Sequence, residues 1–373
     1  MNTWVEISNS AIQHNLGFFR SIIGKKTLLA AVVKSNAYGH SSRIISRLAM
    51  ELADALAVNS EEEAILLRGL YPQATILVMG VVRSDSPHLP ELNDKNTILT
   101  SSSAEEILQI RKQAPLAQIH FKTDTGMGRL GFAKNSLAQN LAYLKKEKIK
   151  LSGISTHFAS TEDFTEHSYS MKQLEEFQEC IAIAKQAGFS KLTRHCASSA
   201  STMLFPQAHM DMVRIGIAMY GLWPSLQTQL SLKEKSRNFI LKPVLGWKTR
   251  IVHINDLPSG SFVGYGSTFK TTHPTRVAVV PVGYFEGLDR KLSNTGFMLV
   301  RGEKVPVIGR VCMNMTMLDV TNVAGVMTGD EVVIIGKSGK ECISADDIAL
   351  QTNTINYEVV TRINSQIPRI ETE

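Results

Sequence analysis

Ala31-Val32-Val33-Lys34-Ser35-Asn36-Ala37-Tyr38-Gly39-His40 is the stretch whose reading decides the fold. Together with the residues before it, Leu28–Val33 is a run of six apolar residues that reads as a short buried strand. It stops on a single lysine, Lys34, and a helical pattern follows from Ser42 to Ala53. An ammonium at the end of a buried parallel strand loses hydration, a cost that is sustained where the amine is used. Two readings follow. Lys34 either stretches past the strand end to water, or is an amine held in a pocket to form a Schiff base with a carbonyl cofactor.

Outward from this strand the chain alternates. Short apolar runs at Leu28–Val33, Ala55–Val58, Thr75–Met79, Thr97–Leu99, Gln118–Lys122, Gly153–Thr156, Leu192–His195 and Val213–Ala218 read as strands. Helical patterns lie between most of them, among them Ser60–Leu70, Ser103–Gln113, Ser136–Lys146 and His167–Ala187. Eight strands alternating with helices predict a (β/α)8 barrel over residues 11–235. The competing doubly wound sheet lacks its Gly-x-Gly-x-x-Gly turn after the first strand. From residue 236 the texture changes. Leu245–Ile254, Thr275–Val282, Phe297–Val300, Lys304–Ile308, Thr316–Val320 and Glu331–Ile335 crowd together as strands, separated by turn signals such as Thr328-Gly329-Asp330. A β-rich domain is expected over 236–373.

Composition excludes several classes. Of the 373 residues 43% are apolar and 20% charged, and the net charge of +6 is scattered rather than clustered, so neither nucleic acid nor a membrane is an expected partner. No apolar run approaches the roughly 18 residues of a membrane span. The opening residues carry Glu6 and no Lys or Arg before Arg20, unlike a secretory signal. Cys180, Cys196, Cys312 and Cys342 have no metal-like spacing, so no metal is expected, and they read as reduced thiols of a cytoplasmic enzyme.

In a barrel, chemistry gathers at the C-terminal ends of the strands. Lys34, the segment Lys122–Arg129, His157, His195–Ser199 and Arg214 all fall there. Any one of them has an ordinary structural reading. Their convergence on one rim favours a site over the structural readings, and what decides for the reactive amine at Lys34 is the resemblance that its motif carries.

The motifs carry a resemblance that runs, in order, through nearly the whole chain. The opening stretch, Thr123-Asp124-Thr125-Gly126-Met127-Gly128-Arg129-Leu130-Gly131, Thr156-His157-Phe158-Ala159 and Val213–Leu222 are similar to motifs of the alanine racemases, pyridoxal-phosphate enzymes. So are Gly264-Tyr265-Gly266, Pro281–Tyr284, Gly309–Met313 and Ile355-Asn356-Tyr357-Glu358.

The resemblance implies roles. Lys34 would hold pyridoxal 5′-phosphate covalently and act as one base. Tyr265 would be the base on the opposite face of the substrate, its hydroxyl supported by His157. Tyr38, Ser199, the backbone of Gly216 and Ile217, and Tyr357 would cradle the phosphate; His195 joins the cofactor set. Arg214 would face the pyridine nitrogen. Because arginine keeps its proton, the ring would remain a weak electron sink, which favours racemisation over transamination. Arg129 would contact cofactor and substrate carboxylate, and Lys122, carbamylated in many relatives, would steady it. The N–H of Met313 would bind the substrate carboxylate, and Tyr284 would support the site. The opening strand, residues 1–10, would join the β domain. Two-fold homodimers with shared sites are also implied. Ser35, Ser41, Glu162 and Asn314 depart from the commoner family residues, and the last two bear on substrate breadth.

The implied activity is interconversion of L- and D-alanine, supplying peptidoglycan. The alternatives are a broader or serine-preferring racemase, a barrel-plus-β decarboxylase of basic amino acids, which Arg214 argues against, and a non-catalytic single-barrel carrier, against which the β domain and Tyr265 speak.

Overall fold

The computed structural model describes residues 1–161, 167–234 and 239–373, and the chain divides into two compact units. One comprises Ala11–Ala37 and Ser42–Lys242; the other comprises Met1–Ser10, Tyr38–Ser41 and Pro243–Glu373. Glu162 lies outside the described residues.

The first unit is the barrel. Its parallel strands are Leu28–Val32, Ala55–Val58, Ile76–Val81, Thr97–Ser101, Gln118–Asp124, Gly153–Ser155, Thr193–His195 and Met212–Ile215. The last of them pairs with the first, Met212 opposite Leu28 and Ile215 opposite Ala31. At the remaining seam, Asp211 N–H donates to the Arg194 carbonyl (3.1 Å) and Arg214 N–H to the Ala197 carbonyl (3.0 Å). The helices follow from their ends. Ser60 and Ser103 cap Glu61–Leu70 and Ala104–Gln113, accepting from the N–H of Glu63 and Glu106, and acidic residues fill both first turns. At the other ends Arg68 donates to the carbonyls of Pro72 and Ala74, as Arg111 does to those of Pro115 and Ala117. The same device thus turns two successive helices back toward their next strand.

Several boundaries differ from the sequence reading by a few residues, and two of these differences shape the rim. The run Val213–Ala218 is a strand only as far as Ile215; Gly216 (φ −106°, ψ −112°) breaks the extension and Ile217–Tyr220 coil into a 3-10 turn. The first strand ends at Val32, and after Lys34 the residues Ser35, Asn36, Ala37 and Tyr38 all have φ near +53° to +55°. This is a left-handed helical turn made without glycine, closed by Ala37 N–H donating to the Val33 carbonyl (2.9 Å).

In the second unit the strand Thr3–Ser8 lies between Leu245–Arg250, antiparallel, and Arg369–Thr372, parallel. That sheet continues through Glu331–Ser338 and Phe297–Val300 to Glu303–Pro306. A second sheet joins His253–Leu257, Thr275–Val280 and Thr316–Asp319. The expected single strand Leu245–Ile254 is two, because the backbone changes partners between them. Ile251 N–H bonds to the Asp330 carbonyl and Val252 N–H to the Val279 carbonyl. Val263, Val277 and Ile308 form a core cluster with Leu257, Phe269 and Met317 against it. Two helices that the β-rich reading did not include, Ala345–Thr352 and Asn356–Thr361, are also present, the first opened by a Ser344/Asp347 capping box.

Candidate active site

The barrel rim gathers four cations. Lys34 sits half-buried just past the first strand, its amine held below the usual lysine range by burial and then by the charge of Arg129, against the opposing pull of Glu63. Lys122 is lowered to about 8 by burial, then by Arg214 and Arg129, with Asp124 resisting. Two nearby carboxylates are bound to backbone amides, and among the described residues neither is ion-paired with these cations. Glu63 accepts from Ser35 N–H (2.5 Å) and Asn59 N–H (2.8 Å). Asp124 accepts from the N–H groups of Gly126, Met127 and Gly128 on Oδ1 and of Arg129 on Oδ2, at 2.8 to 3.1 Å. Burial would raise the Asp124 carboxyl; these four donors override it and leave it below its usual value.

Arg214, 7% exposed, is the centre of the site. It donates through Nη1 to His195 Nδ1 (2.6 Å) and through Nη2 to the carbonyls of Thr156 (2.8 Å) and Cys196 (3.1 Å), with His157 Nδ1 at 3.4 Å. All these acceptors are neutral. Burial lowers Arg214 only to about 10, so it stays protonated at neutral pH. Because a guanidinium only donates, His195 must accept at Nδ1 and carry its proton on Nε2. That nitrogen lies 3.0 Å from Nδ1 of His120, a residue the sequence reading missed. Burial and then Arg214 lower His120 to about 3 and hold His195 well below the usual imidazole value; burial, then Arg214 and Arg129, lower His157 to about 3. The available signal was alternation: His120 and Lys122 are two apart on one strand and share a face.

Close to Arg214, Ser199 Oγ accepts from Gly216 N–H (2.9 Å), which fixes the Ser199–Leu204 helix against the loop that begins the Ile217–Tyr220 turn. The first N–H groups of such turns have no partner within the turn and are natural anion donors.

In the other unit, Tyr38 and Tyr357 come together with ring centroids 6.1 Å apart. Gly39 makes this approach possible, since a Cβ there would lie 2.2 Å from the Val360 carbonyl oxygen. Tyr265 is 72% exposed on a turn between Gly264 and Gly266, both at φ +73°. Tyr284 N–H donates to the Cys312 carbonyl (3.0 Å), and the Phe285 N–H to the carbonyl of Met313 (2.9 Å), so Tyr284 and Met313 share one loop cluster. Asn314 donates to Glu286 (2.9 Å).

Against known proteins, the family model described as alanine racemase, N-terminal domain, matches residues 7–224, and the one described as alanine racemase, C-terminal domain, matches residues 244–371. The chain belongs to the alanine racemase family. An alanine racemase of Leptospira interrogans serovar Lai is 52% identical over 371 residues, covering 99% of this chain and 95% of the relative. That of Desulfosudis oleivorans is 38% identical, covering 99% and 96%. Among solved structures, the alanine racemase of Bacillus anthracis with bound L-Ala-P superposes with a TM-score of 0.91 at 35% identity, covering 100% of this chain and 95% of that one. The Clostridium difficile 630 alanine racemase in complex with cycloserine gives 0.88 at 30% identity, covering 100% and 96%. An alanine racemase barrel with a β-rich companion unit is therefore the architecture of this chain.

Proposed function

We propose that the chain is a pyridoxal-phosphate-dependent racemase that interconverts L- and D-alanine. The observation that supports this reading best, beyond family membership, is the rim itself. Lys34, Lys122, Arg129 and Arg214 share it, while Glu63 and Asp124 are committed to backbone amides. Such a donor set suits a phosphorylated cofactor and a carboxylate substrate.

Lys34 would hold the cofactor covalently. Tyr38, Ser199, the backbone of Gly216 and Ile217, and Tyr357 would take its phosphate, and Arg129, His195 and Arg214 its ring. When bound, the cofactor draws electrons from the substrate α-carbon and makes its proton acidic. The chain's own residues do the rest. Lys34, its amine lowered in pKa, takes or returns that proton at Nζ on one face; the hydroxyl of Tyr265 does so on the other, with His157 in support. Arg214 would donate a hydrogen bond to the ring without surrendering a proton, which would disfavour transamination. Met313 N–H and Arg129 orient the substrate carboxylate. Lys122, its pKa lowered to about 8, is still mostly protonated at neutral pH but holds a far larger neutral fraction than an ordinary lysine, so it has the chemistry to accept carbon dioxide as a carbamate. Tyr284 would support the site.

We further read the protein as a cytoplasmic homodimer in which Tyr265 and Met313 of one subunit serve Lys34 and Arg214 of the other. Among the described residues, no helix is long and apolar enough to cross a membrane. The test is direct. The purified protein, given pyridoxal phosphate and L-alanine, should bring the optical rotation to zero with no release of carbon dioxide. Persistent rotation, or decarboxylation, would overturn the reading, and relative rates on alanine, serine and lysine measure its breadth.

A further inference from the structure

Asp124 and Tyr169 are absent from the roles assigned above, yet between them they hold the loop that presents Arg129. The Asp124 carboxylate collects four consecutive backbone N–H groups, three on Oδ1 and that of Arg129 itself on Oδ2 (3.1 Å). From the other side, the Tyr169 hydroxyl, in the first turn of the helix Ser168–Gln186, donates to the Gly126 carbonyl (2.6 Å). The two glycines of this loop follow from these contacts. Gly126 (φ +116°) has no room for a Cβ, which would lie 2.5 Å from the Tyr169 oxygen, and Gly128 turns at φ +69°. A Cβ on Gly131 would lie 2.3 Å from the Asp124 backbone nitrogen, so the strand end carrying the carboxylate is itself tightly packed.

A consequence concerns charge. An aspartate five residues before an arginine in one tight loop is the obvious ion-pair partner for it. Here the carboxylate faces the amides, and among the described residues the Arg129 guanidinium has no ion-pair partner. We infer that Asp124, latched by Tyr169, is a positioning residue: it fixes the backbone of Arg129 and, by binding amides, leaves the guanidinium free for a substrate carboxylate. This rests on the reading of Arg129 as a carboxylate contact.

The test uses holoenzyme and three variants, with propionate as a carboxylate probe that cannot react. Asp124→Asn keeps an oxygen for the three amides on Oδ1 but presents an NH2 to the Arg129 N–H. It should raise KM for L-alanine and the inhibition constant of propionate in parallel, each about tenfold, as for loss of one charge-assisted hydrogen bond. kcat should stay within about twofold, and amide hydrogen exchange at residues 126–129 should accelerate. Tyr169→Phe should do the same to a smaller degree and serves as the deciding variant if Asp124→Asn does not fold. Arg129→Ala should raise both constants further. Faster exchange with unchanged KM and propionate binding would sink the positioning role. Unchanged exchange in Asp124→Asn would show that the carboxylate does not hold the loop. If Arg129→Ala itself left both constants unchanged, the assignment of Arg129 would fail, separately from the role of Asp124.

Discussion

The two units prepare their candidate residues in opposite ways. In the barrel, Arg214 is 7% exposed, every acceptor on it is neutral, and burial displaces its own pKa and those of His120, His157 and His195. In the β-rich unit, Tyr265, Tyr284 and Met313 are 72%, 44% and 55% exposed. Electrostatic preorganisation needs a dry, fixed environment. The barrel has one of its own; the candidate residues of the other unit would have to be covered before they could act in one.

Lys34→Ala is the most severe way to break the barrel's half. Racemisation should fall by more than about 10³-fold, as for removal of a covalent catalyst, and the borohydride-reducible cofactor link should vanish. A reducible adduct surviving in that variant would remove Lys34 from its role. Next comes Tyr265→Phe. Deuterium entry from heavy water should slow much more from one enantiomer than from the other, because each base serves one face. Equal, mild losses from both would show that the exposed tyrosine is not a base.

The comparison sharpens when the two inactive variants are refolded together. Random pairing makes half the dimers mixed, each with one site holding both bases and one with neither, so activity should return to about a quarter of wild type. Demonstrated subunit exchange without recovery would mean that each chain supplies its own pair. The smallest effect concerns the buried histidines. Folded His120 titrates at about 3 against 6.5 when free, so the unfolded chain binds the extra proton across that interval, and stability should decline as pH falls from about 6.5 towards 3. His120→Asn keeps an acceptor for His195 and removes this titration. Its thermal midpoint should therefore drop less than that of wild type between pH 7 and pH 4.5, and an identical drop would mean His120 contributes nothing to the acid limb.

Much of this was legible before the structure. Apolar runs ending in polar residues located the strands and their active ends, because a buried parallel strand tolerates almost nothing else. Lys122 and His195 stood out as polar residues at strand ends. His120 did not, since it sits one alternation inside the strand and only the closed barrel brings it to His195. Asp124 was hidden for another reason: its partners are backbone amides, which leave no mark on composition. The division of Leu245–Ile254 into two strands was equally silent, because a change of partner sheet needs no change of residue type. Least legible was the turn after Lys34, where Ser35, Asn36, Ala37 and Tyr38 adopt a handedness that their own preferences oppose.

That turn has a stereochemical consequence. A backbone at φ +55°, ψ +52°, as at Ser35, is the mirror image of an ordinary helix and therefore the relaxed state of a D-amino acid. Ser35 is exposed, so exchanging its configuration by chemical ligation tests the backbone with little disturbance of packing. D-serine at position 35 should stabilise the fold by about 1–2 kcal/mol over the natural L-residue. A protein proposed to erase the distinction between the two hands of alanine would thus, at one peptide unit beside its proposed reactive lysine, be better built from the other hand.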